Sequence, residues 1–234
     1  MESNRIVLVL RSGGDFHFQD VELICQHING QWKNGKPEII LLYDKAIKEY
    51  DLGNLKIIPL TNTLPGTWSR IMLYSPEMEK YRPFLYLDLD TAIIQSIENL
   101  INLIPNQSLF IPLEDFYQSE QLATGLVWFP AKSKKIENVW KAFKAPTGTR
   151  MDIFLRKVIT PDKFWQELTN SIVDFKPKSK VWLATLDNHI NIVCFHGKPR
   201  IRQAISIPWV RQYVYRSEFK GIQIHSEELI NQEL

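Results

Sequence analysis

The first third of the chain alternates short apolar runs with a stretch of helical periodicity, and few folds accommodate that pattern. The run RIVLVL at 5–10 predicts a buried strand, and apolar residues recur at helical spacing from Phe18 to Ile28. The runs EIILLY at 38–43 and KIIP at 56–59 predict the next strands. Strand-helix-strand units bury their apolar faces against one another, so the sequence predicts an α/β fold with a mostly parallel mixed sheet flanked by helices.

The rest of the chain continues this pattern. The apolar run FLYL at 84–87 predicts another buried strand. Further strands are predicted at 109–111, 126–129 and 192–195, and helices at 68–74, 97–104, 134–143, 151–158 and 162–168. The segment from Pro208 has no clear period and fits either a helix packed on the domain or a tail.

Composition excludes several classes of protein. A chain of 234 residues with 44% hydrophobic content is expected to form one domain. Its 28 basic and 26 acidic residues are interspersed, so no nucleic-acid surface is expected. No apolar run reaches the roughly 18 residues of a membrane span, and no leader precedes the first strand, so a cytoplasmic protein is expected. Cys25 and Cys194 are expected to be buried free thiols, and the oligomeric state is not predicted.

An acidic pair follows the FLYL strand directly. Ligands of open α/β sheets bind beyond the carboxyl ends of the strands, which is where Asp88 and Asp90 are expected to lie. Two carboxylates at this spacing can reach one divalent cation, whose other positions are taken by water and phosphate oxygens. The bare pattern arises by chance about 0.5 times in such a chain. The alternative is a strand end at which Asp90 or Thr91 caps a helix near Ile97.

A histidine, a glycine and a lysine end the predicted strand at 192–195. His196 offers an imidazole ligand, Gly197 allows the backbone to approach an anion, and Lys198 can neutralise a leaving diphosphate. The alternative is a buried histidine followed by a turn before Pro199. A structural zinc site using Cys194 is disfavoured, because no second pair of ligands completes it.

Five segments together resemble the glycosyltransferases of GT-A (Rossmann-like) fold, in particular the retaining glycogenin-like and lipopolysaccharide galactosyltransferase-like group with its bacterial and viral relatives. They are VLVLRSGGDF, TWSRIMLYSP, FLYLDLDTAII, ATGLVWFPA and IVCFHGKPR, in this order along most of the chain. The resemblance implies a hexosyltransferase with a nucleotide-binding half at about 1–105 and an acceptor-side half at about 106–234.

The resemblance also implies a donor site. Mn²⁺ or Mg²⁺ would be held by Asp88, Asp90 and His196 against the diphosphate of a UDP-sugar, with Asp88, Asp90 and Lys198 as the catalytic residues. The remaining donor-binding residues that it implies are Leu10, Arg11, Ser12, Asp15, Trp68, Arg70, Gly197 and Lys198. Arg70 stands where relatives often have a lysine.

The acceptor side matches relatives less well. The Asp-Gln pair of relatives is replaced by a segment from Thr149 to Asp152. Glu114, Asp115 and Thr124 are further candidates for contacts with the transferred sugar or with a glycan, lipid-linked or protein-linked acceptor, although an acidic turn explains the first two equally well. Trp68, Trp128 and Trp182 invite a sugar-stacking interpretation, although large aromatic side chains more often pack in the core, and Trp68 is the preferred candidate because of its motif.

Two other functions remain open at this point. The segment LYLDLDT matches the start of haloacid-dehalogenase-like phosphatases, in which Asp88 would be the nucleophile. The pair, however, follows several strands, and FHGKPR has no role in such an enzyme. The third possibility is a nucleotide-sugar-binding domain without turnover, which the intact acidic and histidine positions disfavour.

Overall fold

The computed structural model describes residues 4–45, 54–146, 150–176 and 184–215. The strands are β1 Arg5–Leu10, β2 Glu38–Tyr43, β3 Leu55–Pro59, β4 Phe84–Leu87, β5 Thr91–Ile93, β6 Ile111–Glu114, β7 Leu122–Phe129, β8 Ile172–Asp174 and β9 Ile192–Cys194. The α-helices are α1 Phe18–Gln31, α2 Glu98–Ile101, α3 Lys134–Ala142, α4 Met151–Val158 and α5 Pro208–Tyr215. Short 3₁₀ helices span Gly66–Tyr74, Pro76–Tyr81, Trp165–Glu167 and Ile201–Ala204.

Two sheets organise the molecule. The larger sheet has six strands in the order β3-β2-β1-β4-β7-β6, in which β3, β2, β1 and β4 are parallel and β7 pairs antiparallel with both β4 and β6. The smaller sheet has the order β5-β9-β8, with β9 antiparallel to β5 and parallel to β8. The predicted α/β fold with a mixed, mostly parallel sheet is confirmed.

The larger sheet is covered on both faces, which explains its continuous apolar strands. From β1, Ile6 and Leu8 pack in a core with α1, whereas Val7 and Val9 pack in a second core with the 3₁₀ helix Gly66–Tyr74, α3 and α4. The alternation follows from the period of two along a strand. Cys25 and Cys194 are buried free thiols, as expected.

Several predicted bounds differ from those of the structure, including the strand predicted at 126–129, which spans Leu122–Phe129. The strand predicted at 109–111 begins at Ile111, because the backbone N–H and carbonyl of Phe110 both bond to Asp162. The helix predicted at 97–104 is α-helical only over Glu98–Ile101, and the one predicted at 162–168 is a 3₁₀ turn over Trp165–Glu167. The 68–74 helix is also of 3₁₀ type.

The short strands β5 and β8 were not predicted, because each contains only two apolar residues, whereas β9 lies in the apolar run IVCF. Because Thr91 begins β5 and α2 begins only at Glu98, neither Asp90 nor Thr91 caps a helix near Ile97.

The segment from Pro208 begins with a helix that packs on the domain. Val210, Tyr213 and Val214 of α5 are buried, and the Tyr213 ring stacks on His27 with 3.6 Å between centroids. Residues 216–234 lie outside the described part of the chain. No helix within the described residues is long and apolar enough to cross a membrane.

Candidate active site

A cavity of about 1030 Å³ opens where β1 and β4 end. This is the position at which open α/β sheets bind ligands, because the loops after parallel strands splay apart there. The loop after β1 and the Asp88–Asp90 turn after β4 form one side. The start of the 3₁₀ helix Gly66–Tyr74, the β6–β7 loop and the residues after β9 complete the wall.

Asp88 is held by two side chains at the end of β4. Arg70 Nη1 donates to its Oδ2 at 2.6 Å, and the Tyr86 hydroxyl donates to its Oδ1 at 2.5 Å. Burial opposes the charge of Arg70, but the neighbouring Asp88 raises the pKa of this guanidinium, so it stays charged. Burial, reinforced by the charge of Asp88, raises the pKa of Tyr86 well above its usual value, so the phenol stays a hydrogen-bond donor.

Asp90 lies deeper and is paired with a distant arginine. Its side chain is only 12% exposed, and Arg200 Nη1 donates to its Oδ2 at 2.7 Å. Arg200 also bonds Asp15 at 3.1 Å and lies over the Phe16 ring, 4.4 Å from its centroid. Burial, followed by repulsion from Asp88, raises the pKa of Asp90 to about 7. Each carboxylate of the acidic pair is thus matched by one arginine, and burial of the pair makes Asp90 hard to ionise.

His196 follows β9 and faces the same cavity. Its ring packs against Phe116 with centroids 5.3 Å apart, and its Nε2 lies 3.9 Å from Asp174 Oδ1. Burial lowers the pKa of His196, so the imidazole is neutral at neutral pH. Within the described residues its buried Nε2 has no hydrogen-bond partner. Gly197 has a φ of 66°, a left-handed conformation that favours glycine at this turn.

The loop after β1 is held in place by Asp44, the residue that follows β2. Asp44 accepts hydrogen bonds from the Ser12 backbone N–H at 2.8 Å and the Ser12 hydroxyl at 2.6 Å. Arg11 Nε lies 3.4 Å from Asp44, and its Nη1 donates to the Asn62 carbonyl at 2.9 Å. Gly13 and Gly14 follow Ser12, and Gly13 has a φ of 80°. The loop is thus preorganised while its backbone lines the cavity.

Asp115 and Asp152, which also line the cavity, are each paired with an arginine. Arg156 Nη2 donates to Asp115 Oδ2 at 2.6 Å, and the Tyr117 N–H donates to its Oδ1 at 2.8 Å. Burial alone would raise the pKa of Asp115, but these bonds hold it below the usual value. The Thr124 hydroxyl donates to Asp152 Oδ1 at 2.7 Å in a buried contact. Arg150 pairs with the other oxygen of Asp152 at 3.1 Å.

Most predicted site residues meet at this cavity. Its lining includes Leu10, Arg11, Ser12, Asp15, Arg70, Asp88, Asp90, Asp115, Thr124, Asp152, His196 and Gly197. The Asp88–Asp90 turn and His196 are brought together by the smaller sheet, in which β5 pairs with β9.

Three predicted residues do not line the cavity. Trp68 is 2% exposed and packs in the core between Phe143 and Phe154, at centroid distances of 5.7 and 5.8 Å. Lys198 is exposed outside the lining, and the Glu114 carboxylate instead accepts the Glu120 N–H at 2.6 Å. Trp128 is fully buried in the core, whereas Trp182 and Thr149 lie outside the described residues.

Several cavity residues were missed by sequence reasoning. Arg200 stands at the end of the IVCFHGKPR motif, which was a usable signal, but its pairing with Asp90 spans 110 positions. Tyr117 and Phe116 lie in the β6–β7 loop. Asp174, which lies outside the lining but bonds Tyr117, belongs to the unpredicted strand β8. No local periodicity marks these residues.

The chemistry of the donor set fits a divalent cation. Two neighbouring carboxylates and a neutral imidazole with an orphaned buried nitrogen are suitable ligands. In the arrangement described, the carboxylates bond Arg70 and Arg200 instead. Across the ranges that the structure covers, no three His, Cys, Asp or Glu side chains form a close metal-binding group.

No protein-family model matches the sequence, and no curated protein matches it either. Solved structures do match. An active-site mutant of LgtC superposes with a TM-score of 0.61 at 11% identity, covering 95% of this chain and 99% of LgtC. LgtC is described as a galactosyltransferase in a complex with donor and acceptor sugar analogues, which matches with a TM-score of 0.58.

Two larger proteins share the same architecture. The bifunctional glycosyltransferase WbbM matches with a TM-score of 0.59 at 12% identity over 91% of this chain. The glycosyltransferase GlyE of Streptococcus pneumoniae TIGR4 matches with a TM-score of 0.60 at 12% identity over 90% of this chain. The chain spans 51% of WbbM and 60% of GlyE. The chain therefore has the GT-A-like fold of these glycosyltransferases, as its sequence motifs predicted.

Proposed function

We propose that this protein is a glycosyltransferase that moves a sugar from a nucleotide diphosphate sugar, with UDP as the nucleotide, to a hydroxyl group of an acceptor. The observation that carries the proposal is a single cavity at the ends of β1 and β4 that combines Asp88, Asp90 and His196 with Arg70 and Arg200. The fold shared with LgtC, WbbM and GlyE supports it.

The acidic pair and His196 are the residues that would hold Mn²⁺ or Mg²⁺. Such a cation neutralises charge on a bound diphosphate. The raised pKa of Asp90 and the orphaned Nε2 of His196 are the features that support this role.

The loop after β1 suits the nucleoside part of the donor. Asp44 fixes Ser12 and Arg11 before any ligand binds, so little conformational entropy is lost there on binding. Arg11 presents a guanidinium to the cavity, and the glycines at 13 and 14 leave room for a ribose or phosphate near the backbone.

The chemical step breaks the bond between the anomeric carbon and the diphosphate oxygen and forms one from that carbon to the acceptor oxygen. Negative charge develops on the leaving diphosphate, and Arg200, which lines the cavity, would stabilise it in the role that Lys198 was expected to have. Retention of configuration follows if the acceptor attacks from the face that the diphosphate leaves. The acceptor proton then passes to a departing phosphate oxygen, and no protein base is required.

Titration calorimetry with a panel of nucleoside diphosphates tests the donor site, first with Mn²⁺ and then with a chelator. We expect binding of UDP that chelation abolishes. Asp90→Ala and His196→Ala should each weaken Mn²⁺-dependent binding at least about a hundredfold without unfolding, since each removes a ligand.

Asp187→Ala and His189→Ala are matched controls, because both residues are exposed and neither lines the cavity. Full affinity in either site variant would contradict the proposed cation site. Failure to bind any nucleotide, together with Mg²⁺-dependent phosphatase activity, would favour the dehalogenase-like alternative.

A further inference from the structure

The cavity continues beyond the proposed donor residues into a region whose lining is rich in hydrogen-bonding groups. Around it lie Asp115, Tyr117, Gln118, Thr124, Arg150 and Asp152. These residues come from the β6–β7 loop, β7 and the start of α4. The region is too polar for an acyl chain, and its charges are mostly paired internally through Arg156–Asp115 and Arg150–Asp152.

Tyr117 is the unusual member of this set, because a large aromatic side chain there remains 45% exposed. It belongs to none of the three core clusters. Tyr117 is instead one of the residues that line the cavity. Aromatic side chains are common among the residues that line ligand pockets, where a few polar groups fix the orientation of the ligand.

The Tyr117 ring is also held in place before a ligand arrives. Its hydroxyl is shared between Asp174 Oδ2 at 2.7 Å and the Lys176 carbonyl at 2.6 Å, which ties the β6–β7 loop to the smaller sheet. Its backbone N–H bonds Asp115. Burial and the bond to Asp174 raise the pKa of Tyr117 to about 12, so the hydroxyl remains a donor at neutral pH. A fixed ring binds at a small entropic cost.

The ligand chemistry that matches this arrangement is that of a pyranose. A pyranose has a face of C–H groups that packs on an aromatic ring and a rim of hydroxyl groups that need donors and acceptors. Gln118 and Arg150 offer donors at the rim, and Asp152 offers a carboxylate. Phe116, which packs on His196, places this region next to the proposed site of sugar transfer.

We propose that Tyr117 is an acceptor-positioning residue, on whose ring a carbohydrate acceptor stacks so that a hydroxyl group faces the donor. The acceptor role of Tyr117 rests on the proposed function. The binding of a sugar to Tyr117 can be measured without a nucleotide sugar present.

The test uses saturation-transfer NMR on the full chain with methyl glycosides of glucose, galactose, mannose, N-acetylglucosamine and N-acetylgalactosamine. We expect at least one glycoside to bind, with the strongest transfer to its C–H face. Tyr117→Ala should weaken that binding about five- to tenfold, whereas Tyr117→Phe, which keeps the ring, should weaken it about twofold. Tyr215→Ala is the control, because Tyr215 is 54% exposed and lies outside the cavity.

Calorimetry of UDP binding to the same variants separates this inference from the proposed function. Unchanged UDP affinity in Tyr117→Ala, together with lost glycoside binding, supports an acceptor role. Equal glycoside binding in wild type and Tyr117→Ala overturns the inference, as does an absence of glycoside binding in the wild type. Equal losses in the Ala and Phe variants overturn it as well, because the hydroxyl tether would then be the determinant. If the wild type binds glycosides through Tyr117 but binds no nucleotide, the proposed donor chemistry fails, whereas the carbohydrate contact of Tyr117 is still supported.

Discussion

Arg200 lines the cavity, whereas Lys198, the lysine predicted to contact the diphosphate, does not. The resemblance gave the diphosphate-binding charge to Lys198, two positions earlier, but Lys198 is exposed and outside the cavity lining. Arg200 enters the cavity, bonds Asp90 and Asp15, and covers the Phe16 ring. A guanidinium in this partly buried setting interacts with a phosphate more strongly than a fully hydrated ammonium does.

We therefore expect Arg200→Gln to weaken UDP binding at saturating Mn²⁺ at least about tenfold. Lys198→Gln removes the same charge and should change the affinity less than about twofold, because exposed charges are screened. Calorimetry on both variants checks this. The reverse ranking would mean that Lys198 reaches the diphosphate when the donor binds.

At the scale of elements, the 3₁₀ helix Gly66–Tyr74 directs some side chains into the core and Arg70 towards the cavity. With three residues per turn, Trp68 and Ile71 lie on one face and pack in the core, while Arg70 points to Asp88. Trp68, from the motif that suggested a donor contact, thus anchors the helix that carries Arg70.

Trp68→Leu should lower the free energy of unfolding by about 2–4 kcal/mol, since it leaves a cavity between Phe143 and Phe154. The folded variant should bind UDP with an affinity within about threefold of wild type, because Trp68 does not line the cavity. Urea denaturation and calorimetry measure the two quantities. Normal stability with a large loss of UDP affinity would return Trp68 to the donor site.

At the scale of the whole molecule, the site exists only where the two sheets meet. Asp88 follows β4 of the larger sheet, Asp90 precedes β5 of the smaller one, and His196 follows β9. Folding therefore buries Asp90 beside Asp88 and raises its pKa to about 7. The charged groups that act on Asp90 include Asp88, Arg200, Arg70 and Lys176.

This burial makes the stability of the cation-free protein depend on pH. The folded state keeps the Asp90 proton between about pH 4 and pH 7, where the unfolded chain has released it. The contribution of Asp90 is thus fully present below about pH 4 and is lost as the pH rises through about 7.

Asp90→Asn cannot ionise, so in the presence of chelator its stability relative to wild type should increase between pH 5 and pH 8. The increase should be on the order of 2 kcal/mol. Denaturant unfolding at several pH values tests this, with Asp187→Asn as an exposed control. Parallel pH profiles for wild type and Asp90→Asn would show that Asp90 is ionised in the folded protein throughout.

Local sequence patterns were enough to predict the framework of the fold. The strands β1, β2 and β4 were located with correct bounds, and so was α4, because apolar periodicity and helix signals act over neighbouring residues. The position of the acidic pair followed from the strand before it. The motif order also predicted the fold that the comparisons with LgtC support.

Contacts between distant segments were decided only by the tertiary structure. The sequence alone did not predict that Arg200 meets Asp90, that Trp68 turns into the core, or that Asp174 tethers Tyr117. The contacts of Arg200 and Asp174 depend on how β9 pairs with β5 and with β8. The burial of Trp68 depends on the packing of Phe143 and Phe154 against its 3₁₀ helix. Periodicity along the chain reports which face of an element is buried, whereas the partner of a charged side chain depends on which elements packing brings together.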